Sequence, residues 1–253
     1  MGKKLDIALL EDLYSQNLSY KEIIEKTGYL KNSVNGYFWR TKGRMKDDRI
    51  FRRNKIEISQ IQKEILFGTL LGDGNIQRQK QHSYSGRYNH CLEQDVYCTH
   101  IKKQLGLLTT EIRYSERFCK KYNKTYYSSY FCLKNNYNLR EFYDMFYIKE
   151  NCKKDVPLDL LLLTPRALAY LFMDDGSANG KCTISIALCS FSIEGLLRLK
   201  DFLYEKYEIN ITIRKDFKVY FPAESARKFY HLTKEYIIPE MMYKFKFINT
   251  LRI

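Results

Sequence analysis

Apolar residues near the amino terminus recur at helical spacing and predict three short helices. The capping-box sequence Ser-Tyr-Lys-Glu at residues 19–22 indicates the start of the second helix. A sharp turn is predicted at residues 27–29, and a third helix, polar and basic on its outer side, is expected from about Asn32. The expected inward-facing positions are Leu9, Leu10, Leu13, Tyr14, Ile23, Ile24, Val34, Tyr37 and Phe38.

Two later segments, residues 58–74 and 164–176, are apolar around most of a helical circumference, so each is predicted to be a buried helix. Each ends in Asp-Gly, and the aspartates Asp73 and Asp175 are 102 residues apart, which suggests an internal duplication. Gly68 and Gly72 leave a strip without side chains on the first helix. This strip permits a close helix–helix approach.

The segments that follow the two apolar helices also correspond to each other. After the first we predict a strand at 88–94, a helix at 97–107, strands near 111–118 and 126–133, and a helix at 139–147. After the second we predict a strand at 182–189, a helix at 193–207, a hairpin around 211–213 and 219–221, and a helix at 223–236. The order αββαββα fits both halves approximately, because the first pair of strands is poorly marked. The expectation is an α+β fold with two pseudo-symmetric repeats.

The domain boundaries follow from this pattern. We expect an all-α unit at residues 1–47, a basic linker at 48–57, and the two repeats at 58–157 and 158–253. Helix, helix, glycine turn and basic helix is the layout of a helix-turn-helix DNA-binding unit. A small bundle used for packing or dimerisation is the alternative, but the exposed residues suit base edges and phosphates and favour DNA binding. The third helix would present to a DNA duplex the residues Lys31, Asn32, Ser33, Asn35, Arg40 and Lys42.

The charge points to the class of partner. The chain has 43 Lys and Arg against 29 Asp and Glu, a formal net charge of +14, which favours a polyanion such as double-stranded DNA. The alternative is a solvated, lysine-rich surface with no polyanionic partner, which would give the same net charge. The basic and aromatic residues on the outer faces of the predicted sheets could follow a DNA groove. The simpler interpretation is an antiparallel sheet with one face packed on the core and the other exposed to solvent. The candidate contacts on the sheets and their turns are Arg78, Arg87, Arg113, Arg117, Lys120, Lys181, Arg214, Lys215 and Lys218.

Several classes of protein are excluded by what the sequence lacks. No run of about 18 apolar residues occurs, so no membrane span is expected, and no signal-peptide pattern opens the sequence. The seven cysteines form no CxxC pair and the four histidines show no ligand spacing, so a zinc finger is not expected. Scattered thiols indicate a reducing intracellular compartment, such as a bacterial or phage cytoplasm or an organelle matrix or stroma. Cys98, Cys132 and Cys189 are expected to be small core residues.

The acidic helix ends are the candidate chemistry. A carboxylate at a helix carboxyl terminus meets the negative end of the helix dipole, and two such carboxylates at paired helices repel each other. A bound divalent cation relieves both effects. Oxygen ligands favour Mg²⁺, with Mn²⁺ as a substitute. The alternative is that each Asp-Gly only forms a turn, but two at corresponding positions, Asp73 and Asp175, favour a metal site.

Three segments carry a resemblance to a known family. Residues 66–74, LFGTLLGDG, and residues 168–176, LAYLFMDDG, resemble the two motifs of monomeric LAGLIDADG homing endonucleases. Residues 236–244, YIIPEMMYK, are similar to a further segment of that family. The resemblance extends over residues 58–247. It implies two repeats that form a saddle on DNA, with the motif helices at its centre and a monomer as the acting species.

The resemblance also implies roles for individual residues. Asp73 and Asp175 would each ligate divalent metal beside one scissile phosphate, where the metal activates water and stabilises the leaving oxygen. Lys154 and Lys244 fall where the family has basic residues near each phosphate, with Lys153 as an alternative to Lys154. Gln94, expected at the end of the first repeat's opening strand, is a further catalytic candidate, opposite Cys189-Ser190 in the second repeat.

The residues that precede the two motif aspartates complete the expected metal site. Gly72 and Asp174 occupy these positions, and Asp174 is interpreted as a supporting or packing group. Tyr170 stands where the family usually has glycine, which suggests a looser helix contact there. The implied function is site-specific cleavage of double-stranded DNA. The alternatives are a non-cleaving transcription regulator and an RNA-splicing maturase with an RNA partner, and the presence of both aspartates argues against a degenerate site.

Overall fold

The fold is described from a computed structural model, which covers residues 5–16, 18, 20–42, 55–80, 83–147, 153–179 and 182–250. The chain divides into two compact units, Met1–Lys55 and Ile56–Ile253. Ser19 of the predicted capping box, most of the predicted basic linker and Lys181 lie outside the described residues. No helix in the described ranges is both long and apolar enough to span a membrane.

The amino-terminal unit consists of three helices, α1 (Ile7–Ser15), α2 (Tyr20–Thr27) and α3 (Lys31–Lys42). The Asp6 side chain caps α1 by accepting a hydrogen bond from the backbone N–H of Leu9. The small core contains Leu10, Leu13, Ile23, Tyr29, Val34 and Phe38. Leu9 was expected to face this core but is exposed, because Leu10 and Leu13 are the buried residues of this short helix and Leu9 lies outside the side they form.

The larger unit contains the same element order twice. Its first half comprises α4 (Gln60–Leu71), β1 (Asn75–Lys80), β2 (Ser83–Cys91), α5 (Asp95–Leu105), β3 (Arg113–Cys119), β4 (Lys124–Leu133) and α6 (Leu139–Phe146). Its second half comprises α7 (Pro165–Asp175), β5 (Gly176–Asn179), β6 (Thr183–Ala187), α8 (Ile193–Tyr207), β7 (Thr212–Ile213), β8 (Lys218–Phe221) and α9 (Ala223–Thr233). A 3₁₀ segment, Pro239–Thr250, follows. The predicted α+β fold with two αββαββα repeats is confirmed.

Each half has one antiparallel sheet of four strands. The strand orders are β1-β2-β4-β3 and β5-β6-β8-β7, so the two sheets have the same topology. The helices cover the apolar side of the sheets, and a single continuous core runs through both halves. The strand pairs also correspond in register, since Asn75 pairs with Arg87 as Ser177 pairs with Ser185.

Three details of the sequence prediction were wrong. The opening strand of the first repeat ends at Cys91 rather than at residue 94, and the edge strand β1 precedes it. Gln94 lies in a 3₁₀ turn, Leu92–Gln94, because the chain must bend there to enter α5. Cys98 is buried as expected, but Cys189 is exposed, because it lies in the turn after β6.

The helices α4 and α7 pack directly against each other at the centre of the larger unit. A Cβ atom added to Gly68 would lie 2.1 Å from the backbone oxygen of Ala167, and one added to Gly72 would lie 2.5 Å from the Asp174 side chain. The predicted glycine strip is therefore the surface of close approach. Tyr170, which corresponds to Gly68, has its hydroxyl 2.8 Å from Nε2 of His100 on α5.

Candidate active site

The carboxyl-terminal ends of α4 and α7 bring three aspartates together. Because Gly72 has no side chain, the buried carboxylate of Asp174 fits beside it. The Asp174 Oδ2 atom accepts a hydrogen bond of 3.2 Å from the backbone N–H of Asp73, and Oδ1 accepts one of 2.7 Å from the Tyr97 hydroxyl. Asp175, the last residue of α7, completes the group. Asp174, a residue of the second repeat, is thus held in place by two groups of the first repeat.

The electrostatics of these carboxylates favour a bound cation. Burial, with the added charge of Asp73, raises the pKa of Asp175 to about 6. Burial also raises the pKa of Asp174 well above its ordinary value, and again the Asp73 charge contributes. A carboxylate deprived of water and placed beside another one is unfavourable in its charged form. These oxygen atoms therefore fit a hard divalent cation, which would supply the missing positive charge.

The half-buried Lys154 and the buried Lys244 bind the ends of the two motif helices. The Lys154 ammonium donates hydrogen bonds to the backbone oxygens of Gly72 (2.7 Å) and Gly74 (3.0 Å). The Lys244 ammonium donates to the backbone oxygens of Met173 and Asp174, the second at 2.8 Å. Backbone oxygens at the end of a helix lack partners within the helix, and positive charge is favourable there. The two lysines thus occupy equivalent positions in the two repeats.

The same lysines add positive charge to the aspartate group. Burial lowers the pKa of Lys154 and of Lys244, and the nearby aspartates oppose this effect in both cases. Both lysines also oppose the raised pKa of Asp175. Lys153, the alternative from the sequence, is exposed, whereas Lys154 reaches the helix end. The structure therefore places the Lys154 ammonium at the end of α4, near Asp73 and Asp175.

The sequence interpretation missed His90, a buried residue on the inner face of β2. Its Nδ1 atom lies 3.8 Å from Oδ2 of Asp73. The structure brings together one possible ligand atom from each of Asp73, His90 and Asp174, all within 4.8 Å of one another. This group could therefore hold a metal ion. Burial lowers the pKa of His90, opposed by the Asp73 charge. The sequence offered one clue to His90, because side chains along a strand alternate between its two faces. This alternation places His90 on the same face of β2 as the buried Tyr88.

Gln94 lies farther along the chain from the aspartates. Its side-chain amide donates a hydrogen bond of 3.2 Å to the Tyr243 hydroxyl, close in sequence to Lys244. Gln94 directly precedes α5, as Ser192 directly precedes α8. The counterpart of Gln94 in the second repeat is therefore Ser192, not the expected Cys189-Ser190 pair. Ser192 caps its helix and donates a hydrogen bond of 2.6 Å to Asp155, so the two repeats differ here.

Three of the predicted basic residues share one face of the first sheet. Arg113 pairs with Tyr130 and Arg117 with Tyr126, while the Arg87 guanidinium lies 3.8 Å above the Tyr130 ring. All three arginines are exposed. Arg78 does not belong to this face, because it pairs with the buried Tyr84 and strand residues alternate between faces. The remaining candidate of this sheet, Lys120, is exposed in the turn after β3.

The second sheet presents a smaller basic face. Arg214 and Lys218 are exposed and joined by a backbone hydrogen bond, and the Arg214 guanidinium lies 4.4 Å from the Tyr220 ring. Lys215 is exposed in the connecting turn. In the amino-terminal unit, Lys31, Asn32 and Arg40 are exposed and Ser33 and Asn35 are half-buried, and the side chain of Lys42 lies outside the described residues.

Two αββαββα repeats, joined through paired helices that end in aspartate, define the class to which the larger unit belongs. The chain belongs to the LAGLIDADG DNA endonuclease family, whose model matches residues 63–229. The resemblance stated from the motifs is therefore confirmed.

Individual relatives agree with this assignment. The chain is 30% identical over 213 residues to the DNA endonuclease I-ChuI of Chlamydomonas applanata, covering 75% of this chain and 96% of the relative. It is also 30% identical over 203 residues to the cytochrome b mRNA maturase bI2 of Saccharomyces cerevisiae, covering 71% of this chain and 46% of that protein. The homing endonuclease I-WcaI, solved bound to its DNA recognition sequence, superposes with a TM-score of 0.68 at 26% identity, covering 79% of this chain and 93% of that one.

Proposed function

We propose that the protein is a site-specific endonuclease that cuts both strands of DNA at a long recognition site and depends on a divalent cation. The observation that carries the proposal is the meeting of Asp73, Asp174 and Asp175 at the ends of two packed helices, with a lysine ammonium bound at each end. The family and the DNA-bound relative support DNA as the substrate.

In this proposal Asp73 and Asp175 hold divalent cations, Mg²⁺ or Mn²⁺. A cation held there would supply activation of a water molecule and neutralisation of charge on the leaving oxygen. Asp174 fixes the position of Asp73 through the backbone hydrogen bond. Gly72 leaves room for the Asp174 carboxylate.

Lys154 and Lys244 have a distinct role in the proposal. They anchor the helix ends and place positive charge where each phosphate would lie. Because an ammonium has three donors and Lys154 uses two on backbone oxygens, one donor of Lys154 remains for solvent or phosphate. Gln94 and Tyr243 would contact solvent or the DNA backbone near the same edge.

DNA recognition is assigned to the two basic sheet faces. Guanidinium groups stacked on tyrosine rings, as at Arg87 and Arg214, are held in place for contact with base edges or phosphates. The three-helix unit is proposed to bind DNA through the exposed side of α3, as a helix-turn-helix does.

The direct test is cleavage of a plasmid library that carries a randomised duplex segment, incubated with the full-length protein and Mg²⁺. We expect a consensus site to emerge among the linearised plasmids. On that site, Asp73→Asn and Asp175→Asn should each lower double-strand cleavage by about 100-fold or more while DNA binding is retained. Asp201→Asn, the same change on the exposed surface of α8, is the matched control and should cut like the wild type.

One outcome would overturn the proposal. If the wild type binds a selected site but never cuts it in Mg²⁺ or Mn²⁺, the protein is a DNA binder. The second candidate function, an RNA-splicing maturase, is supported by the similarity to the yeast maturase bI2. It predicts that the protein promotes splicing of precursor RNA transcribed from its own locus, and that Asp175→Asn leaves this activity intact.

A further inference from the structure

The two repeats differ at three positions that meet beside Asp73. Gly72 of the first repeat corresponds to Asp174 of the second, so only one carboxylate occupies the space between the helix ends. By the register that matches Arg87 with Ser185, His90 corresponds to Leu188, a fully buried apolar residue. Three independent departures from twofold symmetry at one place indicate that the first-repeat side has its own chemistry.

The third departure supports the other two. Tyr97 corresponds to Gly195 by the same register, and its hydroxyl fixes Oδ1 of Asp174 at 2.7 Å. The rings of Tyr97 and His90 also meet edge to face, with centroids 5.1 Å apart. Tyr97 thus fixes the carboxylate by a hydrogen bond and packs against the imidazole. A hydrogen bond of this kind to a carboxylate is typical of the residues that orient protein metal ligands.

The hydrogen bonding of His90 points to a ligand. Its side chain is only 1% exposed, and its Nε2 atom meets no hydrogen-bond partner in the part of the chain that the structure describes. Its Nδ1 atom, 3.8 Å from Oδ2 of Asp73, is too distant for a direct hydrogen bond to that carboxylate, and a hydrogen bond with the Gln94 side chain raises the pKa of the ring. A buried ring nitrogen without a hydrogen-bond partner among the described residues is unfavourable, and coordination of a cation would satisfy one nitrogen of the ring.

The distances fit ligands of one ion. Metal–nitrogen and metal–oxygen bonds of about 2.1 Å keep the ligand atoms of one ion within about 4.2 Å of each other. The separation of Nδ1 and Oδ2 meets this limit, and the full set spans no more than 4.8 Å, so a small carboxylate movement completes it. Imidazole nitrogen suits transition ions, whereas Mg²⁺ prefers oxygen ligands only.

We infer that a ring nitrogen of His90 joins Asp73 and Asp174 to form a first-repeat metal position selective for transition ions such as Co²⁺ and Mn²⁺ over Mg²⁺. The second-repeat position, with Leu188 in place of the histidine, retains oxygen ligands only. The two metal positions of the molecule are therefore chemically different. This inference rests on the proposed function for the role of the cation, but it is tested by binding alone.

The test is titration of the full-length protein with CoCl₂, followed by calorimetry and by the visible absorption of Co²⁺, and separately with MgCl₂. His90→Leu gives the first repeat the side chain of the second. We expect it to weaken the tightest Co²⁺ binding by about tenfold or more and to leave Mg²⁺ binding within about twofold. His231→Leu removes an exposed histidine instead and should bind Co²⁺ like the wild type. Equal Co²⁺ affinity in wild type and His90→Leu overturns the inference.

A second measurement does not depend on the folding of the variant. Pulsed electron paramagnetic resonance of the Mn²⁺-loaded wild type should show coupling to an imidazole ¹⁴N nucleus, and His231→Leu should keep it. Absence of that coupling in the wild type overturns the inference. A protein that binds Co²⁺ through His90 but cuts no DNA leaves the inference standing and removes the proposed function, so the two failures can be told apart.

Discussion

Asp175 is a half-buried carboxyl group whose charged form is unfavourable in the folded protein. Its pKa is raised from an ordinary 3.8 to about 6, mainly by burial and next by the charge of Asp73. A carboxyl with a raised pKa takes up a proton more readily when folded than when unfolded. The stabilisation of the folded state by this protonation is therefore fully present below about pH 4 and is lost as the pH rises through 6.

The direction of this pH dependence gives a prediction for the stability of the metal-free protein. Asp175→Asn removes the ionisation, so its melting temperature relative to the wild type should increase with pH between 4.5 and 8. At pH 7.5 a gain of about 1 kcal/mol corresponds to about 2–4 °C. Calorimetry in a chelating buffer measures it, with Asp201→Asn as the control. A gain that does not change across this pH range would contradict the assignment.

The aspartates and lysines of the candidate site could be predicted from the sequence, but the histidine could not. Asp73 and Asp175 stand out because each ends an apolar helix, and Lys244 lies in a segment that resembles the family. His90 becomes meaningful only once the register of β2 places it beside Asp73, and its partner Asp174 comes from the other repeat. A contact between residues so far apart in sequence is set by the tertiary fold, which local pattern does not show.

The candidate active site requires α4 and α7 to pack closely against each other, because the aspartates lie at the ends of these two helices. Gly68→Val would place its Cβ atom 2.1 Å from the Ala167 backbone oxygen, which cannot move away without separating the helices. We expect a large loss of stability, several kcal/mol, and loss of cleavage even below the lowered melting temperature. Gly36→Ala, in a helix with open space around that position, is the matched control and should be neutral or stabilising by about 0.5–1 kcal/mol. A Gly68→Val protein with wild-type stability would refute the close packing.

Elements with a clear pattern in their own sequence were predicted, whereas the edge strands β1 and β5, which form by pairing with their neighbours, were not. The helix α7 begins as expected, with the Thr164 side chain capping Ala167 and proline at its first position. The strand β1, NIQRQK, is polar and has one buried residue, Ile76, so no alternation marks it. It is a strand because it pairs with β2 directly after the motif turn. Strand propensity depends on such neighbours more than helix propensity does.

The two sheets that are proposed to contact DNA are unequal in size. The longest strand of the first sheet has ten residues and that of the second has five, so at about 3.3 Å per residue they extend about 33 Å and about 17 Å. We therefore predict an asymmetric target, in which the half facing the first sheet tolerates fewer base changes. Sequencing of cleaved sites from the randomised library measures this, and equal tolerance in both halves would contradict it.

The amino-terminal unit has its own core and is proposed to add DNA affinity without choosing the cleavage position. If α3 binds phosphates through Lys31 and Arg40, the double variant Lys31→Gln/Arg40→Gln should flatten the salt dependence of DNA binding. The log–log slope should fall by about 0.9 for each phosphate that the variant no longer neutralises.

The controls for this prediction separate binding by α3 from general charge. Lys26→Gln, an exposed change on α2, should alter the slope less. The cleaved phosphodiester bonds should be the same in all variants, because Asp73 and Asp175 belong to the other unit. Deletion of residues 1–55 should reproduce the double variant's effect with a greater loss of affinity. If neither affinity nor salt dependence changes in any of these proteins, the three-helix unit does not bind the target, and its basic face serves another partner.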